Sequence, residues 1–120
     1  MPPFGVMSKN QTDRVWKALA DPTRRAILEL LSSRERTTGE VIDRFEDLSR
    51  SAVMKHLGIL EDARLVVIHR EGRLRWNRFD RAPLENVCAP WLERYLDAQE
   101  RRFARLKDHA ERASRRDRKS

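Results

Sequence analysis

A mainly helical domain with one small β-hairpin, ordered α-α-α-α-β-β-α, is the fold class this chain predicts. Three observations carry it. Apolar residues recur at helical spacing through four short stretches between residues 12 and 63. Residues 65–79 then change to a β-branched, strand-like pattern around Glu71-Gly72. Helical spacing returns after Pro83 and continues far along the chain. A length of 120 residues suits one domain of ordinary size.

The first helix is expected over residues 12–20, with Val15, Trp16 and Leu19 as its apolar stripe. Asp21 is a capping residue, and Pro22 suits a first helical position that needs no amide donor. The second helix runs over 22–33 and turns Ile27, Leu30 and Leu31 inward. Arg24 and Arg25 lie near its start, where the helix dipole disfavours cations. Two readings stand for them, solvation and contact with phosphate. Thr37 and Glu40 have the spacing of a capping box, which opens a third helix that buries Val41, Ile42 and Phe45.

The fourth helix is expected within residues 48–63, with Ser49 as its cap. Val53, Leu57 and Leu60 form its inner stripe. Ser51, Lys55 and Gly58 fall on the opposite face, flanked by Arg50 and Met54. Such a face is short, polar and cationic, and it can enter a major groove. Two short helices joined by a tight turn make a helix-turn-helix. The hairpin after them, with strands at 65–70 and 73–79, makes a wing. Its tip carries Arg70, Arg73 and Arg75, placed for phosphates or a minor groove. In the return strand, Arg73 and Arg75 share one face while Leu74 and Trp76 share the other.

Asp80 and Pro83 open the last helical region, and Pro90 should break or kink it. Trp91, Leu92, Tyr95, Leu96, Phe103 and Leu106 keep helical spacing beyond it. They follow a domain that already has a core, so they need a partner, either the first helix or a second subunit. Residues 1–11 read as a flexible leader, 12–111 as the winged helix-turn-helix domain, and 112–120 as a basic, disordered tail.

Lys and Arg number 26 against 19 Asp and Glu, a formal charge of +7. That balance favours a polyanionic partner, with double-stranded DNA first. No apolar run approaches the roughly 20 residues of a membrane span. No secretory h-region opens the chain, and Cys88 is the single cysteine. A cytoplasmic, reducing location is therefore expected.

The run Ala20-Asp21-Pro22-Thr23-Arg24-Arg25, within residues 16–31, resembles the opening of ArsR-type (arsenic-repressor-like) winged-helix regulators. Residues 48–57, with Ser51-Ala52-Val53-Met54-Lys55-His56-Leu57, are similar to their recognition helix, and Arg70-Glu71-Gly72-Arg73 to their wing. The resemblance covers about residues 12–100. It implies a homodimeric bacterial transcription factor, usually a repressor of its own operon, acting at an imperfect inverted repeat. It implies DNA contact by Arg50, Ser51, Met54, Lys55 and the wing arginines Arg70, Arg73 and Arg75. It also implies dimerisation through the first and last helices, where the apolar candidates are Val15, Trp16, Leu19, Trp91, Leu92, Tyr95 and Phe103. Met54, Gly58, Arg64 and Asn77 depart from the usual pattern; Arg64 replaces a glycine that often ends the recognition helix at positive φ.

Many relatives of that type sense metals through a Cys-x-Cys pair, where this chain has Glu40-Val41-Ile42-Asp43. Asp108 and His109 are adjacent, which turns them about 100° apart on a helix. No metal site and no cofactor are expected. His56 reads as a hydrogen-bonded structural residue, His69 as a surface residue and Cys88 as a packed thiol. No nucleophile, base and orienting group stand at recognisable spacing, so the chain is not expected to be an enzyme. The alternatives are a metal- or redox-responsive sensor of the same fold and a winged-helix protein-interaction module. Any small-molecule effector stays unknown at this level.

Overall fold

The computed structural model describes residues 7–119, with side chains through residue 115. Residues 1–6 of the expected leader, and Ser120, lie outside the described residues. Two compact units divide at Val87 and Cys88. The first holds α1 (Lys9–Leu19), α2 (Pro22–Ser33), β1 (Arg36–Thr37), α3 (Thr38–Arg44), α4 (Arg50–Asp62), β2 (Val66–Glu71) and β3 (Leu74–Phe79). A π-helical turn, Leu84–Cys88, leads to α5 (Ala89–Lys119), which makes up the second unit.

Each helix of the first unit begins on a side-chain cap. Ser8, Asp21, Thr37 and Ser49 accept from the backbone amides of Gln11, Arg24, Glu40 and Ala52. At α3 the capping box is complete, because the Glu40 carboxylate also accepts from the Thr37 amide at 3.3 Å. The Ser8 cap starts α1 at Lys9, so residues 9–11, expected in the leader, are helical.

The core is assembled from one stripe per helix. Val15 and Ala18 of α1 and Ile27, Leu28 and Leu31 of α2 are buried. So are Val41 of α3, Val53, Leu57 and Leu60 of α4, and Leu65 and Val66 beside the sheet. Leu28 is buried where Leu30 was expected, and Leu30 is half-buried. α4 touches α1, α2, α3 and β2, so its stripe is the hub of this packing. Truncating a residue such as Leu57 would cost on the order of 2–5 kcal/mol.

The sheet has three antiparallel strands, in the order β1-β3-β2. The two-residue β1 has no periodicity of its own and was not expected. Asn77 accounts for it. Its side chain is fully buried and donates to the Arg36 carbonyl at 3.2 Å and the Thr38 hydroxyl at 3.1 Å. A buried amide lacking those acceptors would be costly, so Asn77 holds the wing to the start of α3.

The hairpin turn is Gly72-Arg73, one residue later than expected, with Glu71 paired to Leu74. Gly72 has φ +62° and Arg73 does not share the left-handed region, as a type II′ turn requires. Arg73 therefore sits in the turn and not in the return strand.

α4 ends in a Schellman motif. The Leu65 amide donates to the Leu60 carbonyl at 3.0 Å and the Arg64 amide to the Glu61 carbonyl at 2.9 Å. Leu60 and Leu65 are buried together, the apolar contact that accompanies this motif. Arg64 takes φ +61°, the conformation a glycine would adopt without steric cost.

A Cβ added at Gly58, inside α4, would meet nothing within 4 Å. Gly58→Ala should therefore stabilise the fold by about 0.5–1 kcal/mol through helix propensity alone. Thermal unfolding checks this, and a lower melting temperature for the variant would contradict it.

Taken alone, α5 is 31 residues long. Pro90 is its second residue, where a missing amide donor is tolerated, and the change from π to α geometry falls at Ala89. Residues 112–119, expected to form a disordered tail, continue this helix. Arg, Ala, Glu and Lys are good helix formers, and charge alone did not outweigh that propensity.

Candidate nucleic-acid interface

α3, the turn through Phe45 and Leu48, and α4 form the helix-turn-helix. Phe45 leaves helical geometry at φ −108°, ψ 67°, and the Leu48 amide closes the turn on the Phe45 carbonyl at 3.0 Å. With Val53, Leu57 and Leu60 turned into the core, Arg50, Ser51 and Lys55 are exposed and Met54 is half-buried. The four expected contact residues thus lie on the first two turns of α4, away from its apolar stripe. Their amide-rich opening turn also favours an anion.

The wing arginines divide. Arg73 is exposed at the turn and Arg70 is exposed on β2. Arg75 is half-buried, with a buried Nε that has no hydrogen-bond partner. Alternation along β3 puts it on the same side as Asn77 and Phe79, the side that faces the core. Leu74 and Trp76 take the other side, and Leu74 is exposed. Arg70 and Arg75 are register partners directly across the ladder. Like charges so placed are mutually unfavourable by a few tenths to about 1 kcal/mol, and an anion between them removes that cost.

Arg24 and Arg25 have a role that their positions in the sequence did not disclose. Arg24 donates through Nε to the Ala18 carbonyl and through one terminal nitrogen to the Lys17 carbonyl, both at 2.9 Å. Arg25 donates to the Leu19 carbonyl at 2.6 Å. They satisfy the open carbonyls at the end of α1, where a cation also suits the helix dipole. The arginine pair is thus bound to protein and not held ready for phosphate. The other terminal nitrogen of Arg24 is 3.4 Å from His56 Nδ1, and that nitrogen is 3.9 Å from the Asp21 carboxylate. His56 therefore ties the recognition helix to the start of α2.

The hydrogen bond donated by the Arg24 backbone amide, with the nearby Arg24 and His56 charges, holds the Asp21 carboxyl below its ordinary value of 3.8. Arg34, and then the Thr37 amide, do the same for Glu40, whose ordinary value is 4.5. A depressed carboxylate stabilises the fold above its unfolded pKa and loses that contribution as pH falls through the lower folded value. Asp21→Asn retains a capping oxygen but no charge. Its melting temperature should lie below wild type near neutral pH, with the gap closing as pH falls below about 4. A gap that stays constant down that range would show that the charge contributes nothing.

The expected dimer residues are spread over both units. Val15 is fully buried inside its own subunit, so it has no surface to offer a second one and is a core residue instead. Trp16 is 39% exposed and Leu19 half-buried. On α5, Trp91, Leu92, Tyr95, Leu96, Phe103 and Leu106 are 47–76% exposed, far above what a solvated helix needs. Trp91 and Tyr95 stack in parallel with centroids 6.0 Å apart. Leu92, Leu96, Gln99, Phe103, Leu106, Ala110 and Ala113 alternate in steps of four and three, the seam spacing of a coiled coil. Leu92, Leu96, Phe103 and Leu106 are thus ordered into one stripe.

Among the described residues no group of three His, Cys, Asp or Glu side chains is placed to hold a metal ion. Burial pushes the Cys88 thiol above its ordinary value, which disfavours the reactive thiolate. No described helix is long and apolar enough to cross a membrane.

Residues 19–69 match the family model described as a helix-turn-helix domain. An uncharacterised HTH-type transcriptional regulator, YuzN of Bacillus subtilis (strain 168), is 40% identical over 87 residues, covering 68% of this chain and 95% of the relative. The transcriptional repressor SdpR of the same organism is 34% identical over 85 residues, covering 71% and 92%. The crystal structure of an ArsR family transcriptional regulator superposes with a TM-score of 0.69 at 35% identity, covering 79% of this chain and 96% of that one. The fold and its outward-facing α4 are those of a winged helix-turn-helix DNA-binding protein. The chain belongs to the ArsR-type family of transcriptional regulators, which are not enzymes.

Proposed function

We propose that the protein is a cytoplasmic, homodimeric repressor of its own or a neighbouring operon, acting at an imperfect inverted repeat. The observation that carries this reading is the division of α4, with Val53, Leu57 and Leu60 buried and Arg50, Ser51 and Lys55 exposed. Arg50 and Lys55 serve phosphates, Ser51 and Met54 serve base edges and thymine methyls, and Arg70, Arg73 and Arg75 hold the flanking backbone. Two copies joined through Trp16, Leu19, Trp91, Leu92, Tyr95 and Phe103 present two recognition helices to two half-sites. Occupying a promoter then excludes polymerase. The similarity to a named repressor, SdpR, supports the sign of regulation.

The test is affinity for the promoter fragment upstream of the gene against random duplex of equal length. The promoter should bind at least about a thousandfold more tightly at physiological salt. Equal affinities would remove the claim of a specific operator there.

A further inference from the structure

Along α5 the seam runs through Leu96, Gln99, Phe103, Leu106, Ala110 and Ala113, with Leu96, Phe103 and Ala110 at a positions and Gln99, Leu106 and Ala113 at d positions. All six are exposed. The larger side chains stand in the first part of the seam and the alanines at its end. The flanks are unevenly charged. Position e, one residue past each d, holds Glu93, then Glu100, then Lys107. Position g, one residue before each a, holds Arg102 and His109. Neither Glu100 nor Lys107 has an ion-pair partner among the described residues.

A second copy can meet this seam in two directions. Parallel helices stack each a and d residue on itself and bring position g against position e of the next heptad. Two layers would then be alanine on alanine, and Arg102 would face Lys107 of the second copy on both sides of the seam. Antiparallel helices set a against d, e against e and g against g. With the two-fold axis between Ala104 and Arg105, Leu96 meets Ala113 of the second copy, Gln99 meets Ala110, and Phe103 meets Leu106. Each outer layer pairs a larger side chain with a small one, so the seam is filled evenly along its length. Glu100 meets Lys107 of the second copy, and symmetry forms the pair twice. On the other flank Arg102 meets His109. A slide of one heptad either way brings like charges together, Glu100 with Glu100 and Arg102 with Arg102, or Lys107 with Lys107.

We propose that α5 pairs antiparallel with α5 of a second copy, in the register that joins Glu100 to Lys107. The inference rests on the homodimer proposed for this protein and adds the direction and register of the contact. Burial of the seam supplies the affinity. Exposed ion pairs supply little of it, and these act by disfavouring the parallel and slipped arrangements.

The experiment is sedimentation of the full chain across a concentration series. Lys107→Glu should raise the dimer dissociation constant about tenfold, because two attractive pairs become repulsive. Glu100→Lys should do the same, and the two changes together should restore wild-type affinity. The rescue separates the cross-chain pair from local effects. Glu111 stands one turn beyond Lys107 on the same helix, and repulsion from it would persist in the double variant. A parallel pair would respond the other way, since Lys107→Glu would turn the Arg102 contact attractive and tighten the dimer. Nitroxide labels on Ala104→Cys and Arg115→Cys, each combined with Cys88→Ser, read the direction independently. The axial separation between copies grows by about 3 Å for each residue from the two-fold axis, so it should be small at residue 104 and roughly 30 Å at residue 115. Equal separations, a tighter Lys107→Glu dimer, or a double variant no better than the single ones would overturn the proposal. A wild-type chain that stays monomeric would overturn the homodimer itself. A dimer indifferent to all three charge variants would overturn this pairing alone.

Discussion

Leu92→Glu combined with Leu96→Glu should leave a folded monomer whose operator affinity has fallen by about a hundredfold or more. Both side chains are nearly half exposed on α5, so a carboxylate at either position meets water in the single chain and need not disturb it. In a dimer the same carboxylates enter an apolar seam without partners, which costs several kcal/mol. In the proposed dimer two recognition helices act as one ligand, and losing the dimer separates them. The second half-site then has to be bound from bulk solution and no longer at a high effective concentration, which commonly costs 10²–10⁴ in affinity, by about that order. Sedimentation at micromolar concentration reads the first effect, and binding to operator and to an isolated half-site reads the second. A variant that still sediments as a dimer would show that α5 is not the interface. A monomer that keeps wild-type operator affinity would show that dimerisation does not serve recognition.

How much of this was legible in the sequence follows from the range of the forces involved. The stripe Val53, Leu57, Leu60 and the caps at Asp21, Thr37 and Ser49 depend on neighbours within one or two turns, and their spacing displays them. The positive φ at Arg64 also follows from its place one residue past the end of a helix. β1 is different. It exists because Asn77, about 40 residues further along the chain, reaches back to Arg36 and Thr38. Nothing near Arg36 announces that. The same holds for Arg24 and Arg25, whose charge is visible in sequence but whose acceptors are carbonyls on the preceding helix.

The candidate site divides along the same line. Exposure of Arg50, Ser51 and Lys55 follows from the apolar stripe beside them, so the helix face could be read directly. Assigning Arg75 to the wing tip depended on the hairpin register. The turn falls at Gly72-Arg73, and Arg75 consequently lies opposite Arg70 on the core-facing side. Taken alone, α1 presents Val15 as surplus apolar surface, but α2 and α4 meet α1 and complete the core.

Lys55 and Arg73 separate the two ways this protein can hold DNA. Both are exposed, and neither has an ion-pair partner among the described residues, so each is free to neutralise a phosphate. Replacing both with alanine should weaken operator and random duplex alike and reduce the slope of log affinity against log salt by about two, close to 0.9 for each lost phosphate contact. Ser51→Ala makes the contrast. Ser51 is exposed, its removal exposes no core, and its hydroxyl carries no charge. Its loss should cost the operator on the order of 1 kcal/mol, leave random duplex unchanged and leave the salt slope intact. Affinities for both DNAs at several salt concentrations supply all of these numbers. If Ser51→Ala weakens both DNAs equally while the Lys55 and Arg73 double variant spares random duplex, the face of α4 assigned to the groove is the wrong one.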